Sequence, residues 1–216
     1  MQNSEGHTII ILNESGKQSE IETDFPKRKD AIAMKLTEKT VSQKMLVEGK
    51  IINLRQDIVT LENGRTTLRD VVEHPGGVCV LPLTEENEVI LVKQFRYPYQ
   101  EVLLELPAGK LDKGEEEPLH CGMRELEEEA GVTAEEYLSL GQMYPSPGYC
   151  DEIIHLYLAR KLQPSRQHLD EDEFLEVYKM PFAQVLEMVL NGEIKDAKTQ
   201  LAILKTAVLL GFEHSN

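Results

Sequence analysis

The chain has 216 residues, of which 38 are acidic and 23 are basic, so it carries a formal net charge of -15. This length suits one ordinary domain with a small additional element, and it excludes a large multidomain assembly. Nucleic acids and anionic membranes are bound through clustered Lys and Arg, so the acidic balance argues against both as partners.

Residues 1–35 are predicted to be a weakly ordered extension with one short strand, because polar residues surround a single apolar run. Residues 36–75 are predicted to form a β-meander. In that segment β-prone stretches lie on either side of Asn63-Gly64, a pair that favours a tight hairpin turn. The remaining 76–211 are predicted to form the main domain.

The main domain begins with predicted strands and ends with predicted helices. Strands are expected over 78–83, 89–95, 102–106, 138–143, 153–159 and 174–178, and helices over 117–130, 182–191 and 197–210. The predicted order is strands, one helix, further strands and two final helices, which is typical of an α+β fold. It predicts a mixed or largely antiparallel sheet covered by helices.

The three cysteines are far apart and form no C-x-x-C pair, which predicts reduced thiols rather than disulfides or a zinc site. The start of the chain lacks the basic segment and the long apolar run of a signal peptide. No run reaches the roughly 18 apolar residues that a membrane span requires. We therefore expect a soluble, cytoplasmic protein that does not bind membranes.

The helix predicted over Glu117–Ala130 carries three carboxylates on one face, since Glu125, Glu128 and Glu129 stand at i, i+3 and i+4. Like charges repel, so this face favours a bound cation. All-oxygen ligation suits Mg²⁺ or Mn²⁺, which commonly serve phosphate chemistry. A solvated acidic face without metal is the ordinary alternative.

The same helix has an apolar stripe at helical spacing. Leu119, Met123 and Leu126 recur at i, i+4 and i+7 and are expected to face the core. Gly131 is expected to end the helix.

The excess negative charge is concentrated in two segments. Residues 112–129 hold eight acids and two bases, and residues 170–176 hold five acids and no base. Together these 25 residues carry -11 of the net -15. Such focusing indicates a cation site that could receive an anionic diphosphate through a metal.

Residues 109–132 resemble the Nudix box, G-x5-E-x7-R-E-U-x-E-E-x-G-U, where U is a bulky apolar residue. Residues 124–132, Arg-Glu-Leu-Glu-Glu-Glu-Ala-Gly-Val, match its second half at every specified position. The first half contains one additional residue, so either Glu115 or Glu116 corresponds to its glutamate. The chain is identified as a member of the Nudix hydrolase family, and this resemblance implies the Nudix fold, in which helices sandwich β-sheets as α/β/α layers.

The flanking residues are similar to the ADP-ribose pyrophosphatase branch of that family. Residues 94–96 and 104–109 carry the resemblance upstream, and Pro147 stands fifteen residues beyond Val132. The likeness covers residues 36–211 and implies Mg²⁺-dependent hydrolysis of ADP-ribose to AMP and ribose 5-phosphate, with Mn²⁺ as a substitute metal. It also implies a homodimer whose N-terminal strands cross to the partner.

The resemblance implies a role for each candidate metal ligand and base. The carbonyl of Ala108 and the carboxylates of Glu125, Glu128 and Glu129 would hold the metal ions. Glu173, with Glu171 as the second choice, would act as the base that takes a proton from water. A solvated acidic loop is the alternative interpretation of those two residues.

The resemblance also implies roles for three arginines. Arg124 would orient a carboxylate through a charge-assisted hydrogen bond. Arg96 would bind a substrate phosphate, and Arg69 would reach the adenosine, in its own subunit or in the partner. For Arg96 the alternative is an exposed arginine at a strand end. The chain has no tryptophan, and Phe95, Tyr97 and Tyr99 could stack on the adenine or pack in the core.

Two other functions are compatible with the sequence. The same chemistry could act on another nucleoside diphosphate sugar, such as a GDP-sugar. A Nudix-like module could instead bind ADP-ribose without hydrolysing it, although the complete set of three glutamates favours an enzyme.

Overall fold

The structure is a computed structural model, and it describes residues 8–12, 18–22, 36–111, 116–169 and 174–212. The strands are β1 (Thr8–Leu12), β2 (Gln18–Glu22), β3 (Lys39–Glu48), β4 (Asn53–Thr60), β5 (Thr66–Glu73), β6 (Gly77–Pro82), β7 (Glu88–Arg96), β8 (Glu101–Glu105), β9 (Ala108–Lys110), β10 (Val132–Met143), β11 (Ile154–Pro164) and β12 (Leu175–Pro181). The helices are α1 (Pro118–Ala130), α2 (Phe182–Leu190) and α3 (Ala197–Leu210), with a short 3-10 helix at Tyr97–Tyr99.

Two antiparallel sheets precede the main domain. Strands β1 and β2 pair with each other, so the extension contains two strands where the sequence suggested one. Strands β3, β4 and β5 form the predicted meander, and the turn between β4 and β5 includes Gly64 at a φ of +80°. A positive φ of this kind is readily adopted by glycine, which explains the strength of the Asn-Gly signal.

A four-stranded mixed sheet, ordered β10-β11-β6-β9, forms the centre of the main domain. Every residue of β6 is buried, and its side chains alternate between two hydrophobic clusters. Val78 and Val80 pack with α1, whereas Cys79 and Leu81 belong to the cluster that includes α2 and α3. Because helices cover both faces, β6 is a continuous apolar run rather than an alternating one. The α+β architecture expected from the sequence is confirmed.

A three-stranded antiparallel sheet, ordered β12-β7-β8, lies beside the central sheet. It brings the ends of β7 and β8 together, with Arg96 opposite Glu101 and Val92 opposite Glu105. The short strand β9 was not predicted, and it pairs with β6 so that Ala108 lies opposite Cys79. Three residues are too few to show a period in the sequence, and the pairing partner of β9 lies in a distant part of the chain.

Helix α1 begins at Pro118, one residue after the predicted start, and ends at Ala130 as predicted, where Gly131 terminates it at a φ of +65°. The predicted apolar stripe is wrong for Met123, whose side chain is exposed. The buried face is instead made by Cys121, Gly122, Glu125, Leu126 and Glu129. Gly122 sets this face, because a Cβ added there would lie 3.0 Å from a Val78 methyl group, so the helix packs closely on β6.

The helices of the described residues are too short or too polar to cross a membrane.

Candidate active site

The carboxylates of α1 lie against strand β9. Glu125 and Glu129 are buried, and Oε2 of Glu129 accepts a hydrogen bond of 2.8 Å from the backbone N–H of Ala108. A Cβ added to Gly109 would lie 2.0 Å from the carboxyl carbon of Glu125. Glycine at this position therefore leaves the space that the Glu125 carboxylate occupies.

Arg124 draws the carboxylates of α1 together. Its Nη1 lies 2.8 Å from Oε1 of Glu125 and 2.8 Å from Oε2 of Glu128, and its Nε lies 3.3 Å from Oε1 of Glu116. Burial by itself lowers the pKa of Arg124, but the hydrogen bond with Glu116 and the charge of Glu125 outweigh it and raise that pKa. The positive charge offsets the repulsion among the glutamates and orients two of them.

Among the described residues, no three His, Cys, Asp or Glu side chains converge in a geometry that would hold a metal. Glu125 and Glu128 face Arg124, and Glu129 faces the amide of Ala108. The residues nevertheless fit a hard cation in two respects. They supply carboxylate oxygens with a backbone carbonyl nearby, and Gly109 leaves room for a carboxylate against β9.

A cleft of about 360 Å³ opens beside β9. We call it the Arg96 cleft, and its wall includes Arg96, Glu105, Ala108, Gly109, Glu152 and Lys198. Arg96 binds Glu105 through two hydrogen bonds of 2.7 and 2.6 Å, and Lys198 binds the same carboxylate from α3. The cleft thus contains two cations, Arg96 and Lys198, together with the β9 backbone that meets the acidic face of α1.

Glu105 is the buried centre of this charge cluster. Its side chain is 1% exposed, that of Lys198 is 11% exposed, and Lys198 also lies 2.9 Å from Oδ1 of Asp196. Burial alone raises the pKa of Glu105, but the hydrogen bond from Arg96 and the charge of Lys198 outweigh it and lower that pKa. Burial lowers the pKa of Lys198, and the charges of Asp196 and Glu105 reverse that effect and raise it. Glu105 and Lys198 are therefore both charged at neutral pH.

Sequence reasoning missed Glu105 and Lys198. Glu105 had a local signal, because a charged residue between Leu104 and Leu106 interrupts a strand that is otherwise apolar on both sides. Lys198 had no such signal, since its partner Glu105 lies 93 residues earlier in the chain.

Arg69 lies in a different place from Arg96. It lines a neighbouring cavity of about 540 Å³, here called the Arg69 cavity, together with Tyr144, Tyr149 and Glu152. Glu152 lines both the cavity and the Arg96 cleft. The guanidinium of Arg69 is paired with Glu38 at 2.6 Å. The structure therefore brings Arg69 near two tyrosines that the sequence analysis did not consider.

The three aromatic residues proposed for stacking are exposed rather than packed in the core. Phe95, Tyr97 and Tyr99 each have more than half of their surface accessible, and Tyr99 lines the Arg96 cleft. Tyr99 is thus the one of these three that reaches the candidate site.

The two candidate bases, Glu171 and Glu173, lie outside the described residues. The chain before them is held to the end of α1, where the N–H of His168 donates to the carbonyl of Glu128 at 3.0 Å. The chain after them joins β12, where Leu175 pairs with Gln94. The described residues on either side of 170–173 therefore contact the acidic helix and the strand that carries Arg96.

The NUDIX domain model matches residues 73–201 of this chain. Among curated proteins, the chain is 45% identical to "ADP-ribose pyrophosphatase" of Bacillus subtilis (strain 168), with 78% of this chain and 91% of the relative covered. It is 40% identical to "Methanol dehydrogenase activator" of Bacillus methanolicus, with 77% and 90% covered. It is 33% identical to "GDP-mannose pyrophosphatase" of Escherichia coli (strain K12), with 76% and 84% covered.

A solved structure described as "Crystal structure of ADP compounds hydrolase" is similar in fold. The TM-score is 0.71 at 19% sequence identity, with 81% of this chain and 94% of that chain covered. At this identity the likeness supports the fold alone.

Proposed function

The chain belongs to the Nudix family, and we propose that it adds water to the diphosphate of ADP-ribose, giving AMP and ribose 5-phosphate. One observation carries the proposal. The acidic face of α1 meets Ala108 and Gly109 of β9, and the same two residues line the cleft that contains the cations Arg96 and Lys198. A diphosphate placed at this strand would meet metal ligands and cationic side chains together.

We propose that the cofactor is Mg²⁺, or Mn²⁺ in its place, held by the carboxylates of Glu125, Glu128 and Glu129 and by the Ala108 carbonyl. When bound, the metal would neutralise the diphosphate charge and lower the pKa of a bound water. Arg124 pairs with Glu125 and Glu128 and orients both carboxylates. Glu129 is oriented independently by the Ala108 N–H.

Arg96 is proposed to bind a phosphate oxygen of the substrate. Arg96 donates to Glu105 through its Nε and Nη2 atoms. The opposite edge of the Arg96 guanidinium can therefore donate to a ligand in the cleft. Lys198 lines the same cleft and adds a second positive charge. Because Glu105 already holds both cations in place, binding the anion would require little rearrangement of either side chain.

The base is proposed to be Glu173 or, as the second choice, Glu171. Support comes from the segments on either side of them, which are fixed near Glu128 at one end and Gln94 at the other. As the base, the carboxylate would accept a proton from the attacking water.

The adenosine is proposed to occupy the Arg69 cavity. This cavity adjoins the Arg96 cleft at Glu152, and it offers the exposed rings of Tyr144 and Tyr149. Tyrosine rings can stack on a nucleobase, and Arg69 could donate hydrogen bonds to its acceptors.

The protein is proposed to work as a homodimer joined through the N-terminal meander. Strand β3 is exposed along its whole length, and its apolar residues Val41, Met45, Leu46 and Val47 are among the exposed ones. Contiguous exposed apolar surface of this kind marks an interaction site, and a second copy of the chain is the occupant that the proposal names.

A second candidate substrate is a GDP-sugar, favoured by the 33% identity to the GDP-mannose pyrophosphatase of E. coli (strain K12). The diphosphate would occupy the same place, and only the nucleoside would change. A module that binds ADP-ribose without hydrolysing it would not require the three glutamates that α1 offers as candidate metal ligands. Their presence therefore favours an enzyme over such a module.

The test is a panel of initial rates at equal substrate concentration in Mg²⁺ and again in Mn²⁺. The panel contains ADP-ribose, GDP-mannose, NADH and ATP. We expect ADP-ribose to have the highest kcat/KM, and a chelator to stop its turnover. Faster hydrolysis of GDP-mannose would establish the second candidate, and cleavage of ATP alone would refute both. Binding of ADP-ribose without turnover would establish the module.

A further inference from the structure

Thr199 connects α3 with the segment that precedes Ala108. Its side chain is 0% exposed, and its hydroxyl accepts a hydrogen bond of 2.9 Å from the backbone N–H of Leu106. The hydroxyl donates to Oδ2 of Asp196 at 2.5 Å, and the Thr199 N–H donates to the same oxygen at 2.9 Å. Asp196 thus fixes the direction of the hydroxyl proton, and the oxygen lone pair is left to face Leu106.

The connection from β8 to β9, Leu106-Pro107, is held by three different elements. Thr199 of α3 accepts the N–H of Leu106, and the N–H of Val80 in β6 donates to the carbonyl of Pro107 at 2.9 Å. Glu129 of α1 accepts the N–H of Ala108, the next residue. The Pro107–Ala108 peptide, directly before the Ala108 carbonyl, is therefore held by β6 and α1, and the Leu106 N–H before it is held by α3.

The contact with Thr199 is needed because Leu106 is fully buried. An N–H group in such a place has no access to bulk water, and leaving it without an acceptor costs free energy. Without the hydroxyl, the connection would rotate or shift to find another acceptor. Such a movement would displace Ala108, which lies only two residues further along.

We propose that Thr199 is a positioning residue, whose hydroxyl fixes the Leu106-Pro107 connection and so aims the Ala108 carbonyl at the acidic face of α1. This inference rests on the proposed function, since it takes Ala108 and Glu129 as metal ligands. Groups that hold a ligand in place without touching the metal typically contribute about 10-fold to 100-fold in metal affinity.

The variant that tests this is Thr199→Val, which removes the hydroxyl and keeps the branched shape. Thr199→Ser restores the hydroxyl and is the rescue. Thr206→Val is the matched control, because Thr206 is also 0% exposed on α3. Among the described residues its hydroxyl has no hydrogen-bond partner. If Thr199→Val does not fold, Thr199→Ala is tested instead, with the separate variant Thr206→Ala as its control.

Two measurements on the full chain report on the role without any turnover of ADP-ribose. Hydrogen exchange is expected to show lost protection of the Leu106 amide in Thr199→Val alone. Mn²⁺ titration followed by electron paramagnetic resonance is expected to show about tenfold weaker binding in Thr199→Val. Wild-type affinity is expected for Thr199→Ser and Thr206→Val.

The proposal is overturned if Thr199→Val melts at a lower temperature but binds Mn²⁺ as the wild type does, because its role would then be structural only. Equal losses of affinity in the Thr199 and Thr206 variants would overturn it as well. Absence of saturable Mn²⁺ binding by the wild type would overturn its metal premise. If Mn²⁺ binds as expected but ADP-ribose is not hydrolysed, the proposed function fails and the positioning role stands.

Discussion

The guanidinium of Arg96 holds the buried carboxylate of Glu105 through two hydrogen bonds, from Nε to Oε1 at 2.7 Å and from Nη2 to Oε2 at 2.6 Å. A fork of this kind fixes the plane of the guanidinium as well as its position. Arg96 is thereby presented to the cleft by a partner that itself cannot reach solvent. The stability of the fold and the orientation of a proposed substrate contact consequently depend on the same carboxylate.

Replacing Glu105 by Gln should destabilise the protein in a pH-dependent way. At neutral pH the loss removes one of the two carboxylates that pair with the buried Lys198, the other being Asp196, and we expect the free energy of unfolding to fall by about 3 kcal/mol. The pKa of Glu105 is lowered in the folded state, so its contribution is present above the ordinary glutamate pKa of 4.5 and disappears as the pH falls through the lowered value. Urea unfolding of both proteins as a function of pH measures the difference.

The difference in unfolding free energy between the wild type and Glu105→Gln should therefore become smaller as the pH is lowered. A difference in unfolding free energy that stays constant from neutral pH to about pH 3 would show that Glu105 does not titrate with a lowered pKa.

Replacing Gly109 by Ala should weaken metal binding with little effect on folding. The new methyl group would overlap the Glu125 carboxylate, but that carboxylate is the end of a flexible side chain and can move aside. We expect a stability change within about 1 kcal/mol and an Mg²⁺ requirement raised about tenfold. The measurements are thermal melting and the Mg²⁺ concentration that gives half-maximal rate.

Gly148→Ala is the control for Gly109→Ala, because a Cβ at Gly148 would have no heavy atom within 4 Å. Gly148 lines the Arg69 cavity, so both variants are compared at saturating ADP-ribose. The Mg²⁺ requirement of Gly148→Ala should equal that of the wild type. An unchanged requirement in Gly109→Ala would argue against Glu125 as a metal ligand.

Replacing Arg69 by Ala should raise the KM for ADP-ribose about tenfold, the effect of losing one charged hydrogen bond, while kcat changes little. The ion pair with Glu38 is exposed, with 43% and 40% of the two side chains accessible. Breaking such a pair should change the unfolding free energy little, because solvent screens both charges. Glu38→Gln breaks the same pair and keeps Arg69, so a similar KM rise in both variants would contradict an adenosine contact.

Replacing Val47 by Glu should disrupt the proposed dimer, because a charge would enter the apolar surface of β3. Val208→Glu is the matched control, since Val208 is exposed on α3 and away from the meander. Light scattering should give twice the 24.5 kDa chain mass for the wild type and the control, and a smaller mass for Val47→Glu. A wild type that is monomeric at all concentrations would refute the dimer.

Much of the fold follows from local signals in the sequence. The bounds of α1 were predictable because Pro118 suits the first turn and Gly131 adopts a positive φ at the end. The meander was predictable because Asn63-Gly64 favours one type of turn. Which face of α1 is buried was not predictable, since Met123 is apolar and exposed while Glu125 and Glu129 are charged and buried.

The acidic face of α1 was recognisable from spacing, and the family resemblance pointed to Ala108 and Arg96, but Glu105, Lys198 and Thr199 were not recognised. Lys198 meets Glu105 and Thr199 meets Leu106 across 93 residues of chain, and only the folded sheet brings them together. The same holds for Arg69, because Arg69 lies in β5 whereas its neighbours Tyr144 and Tyr149 come after β10 in the chain. Long-range contacts of this kind leave no period in the sequence.

The most direct test of the account is the hydrolysis of ADP-ribose in Mg²⁺ by the wild type, Glu129→Gln and Glu127→Gln, with the products separated by chromatography. Glu127 is on the same helix, but its carboxylate accepts a hydrogen bond from Ser165 instead of facing Ala108. We predict AMP and ribose 5-phosphate in equal amounts, at nearly wild-type rate for Glu127→Gln and at least about a hundredfold slower for Glu129→Gln. Undiminished turnover by Glu129→Gln, or no AMP from the wild type, would contradict the account.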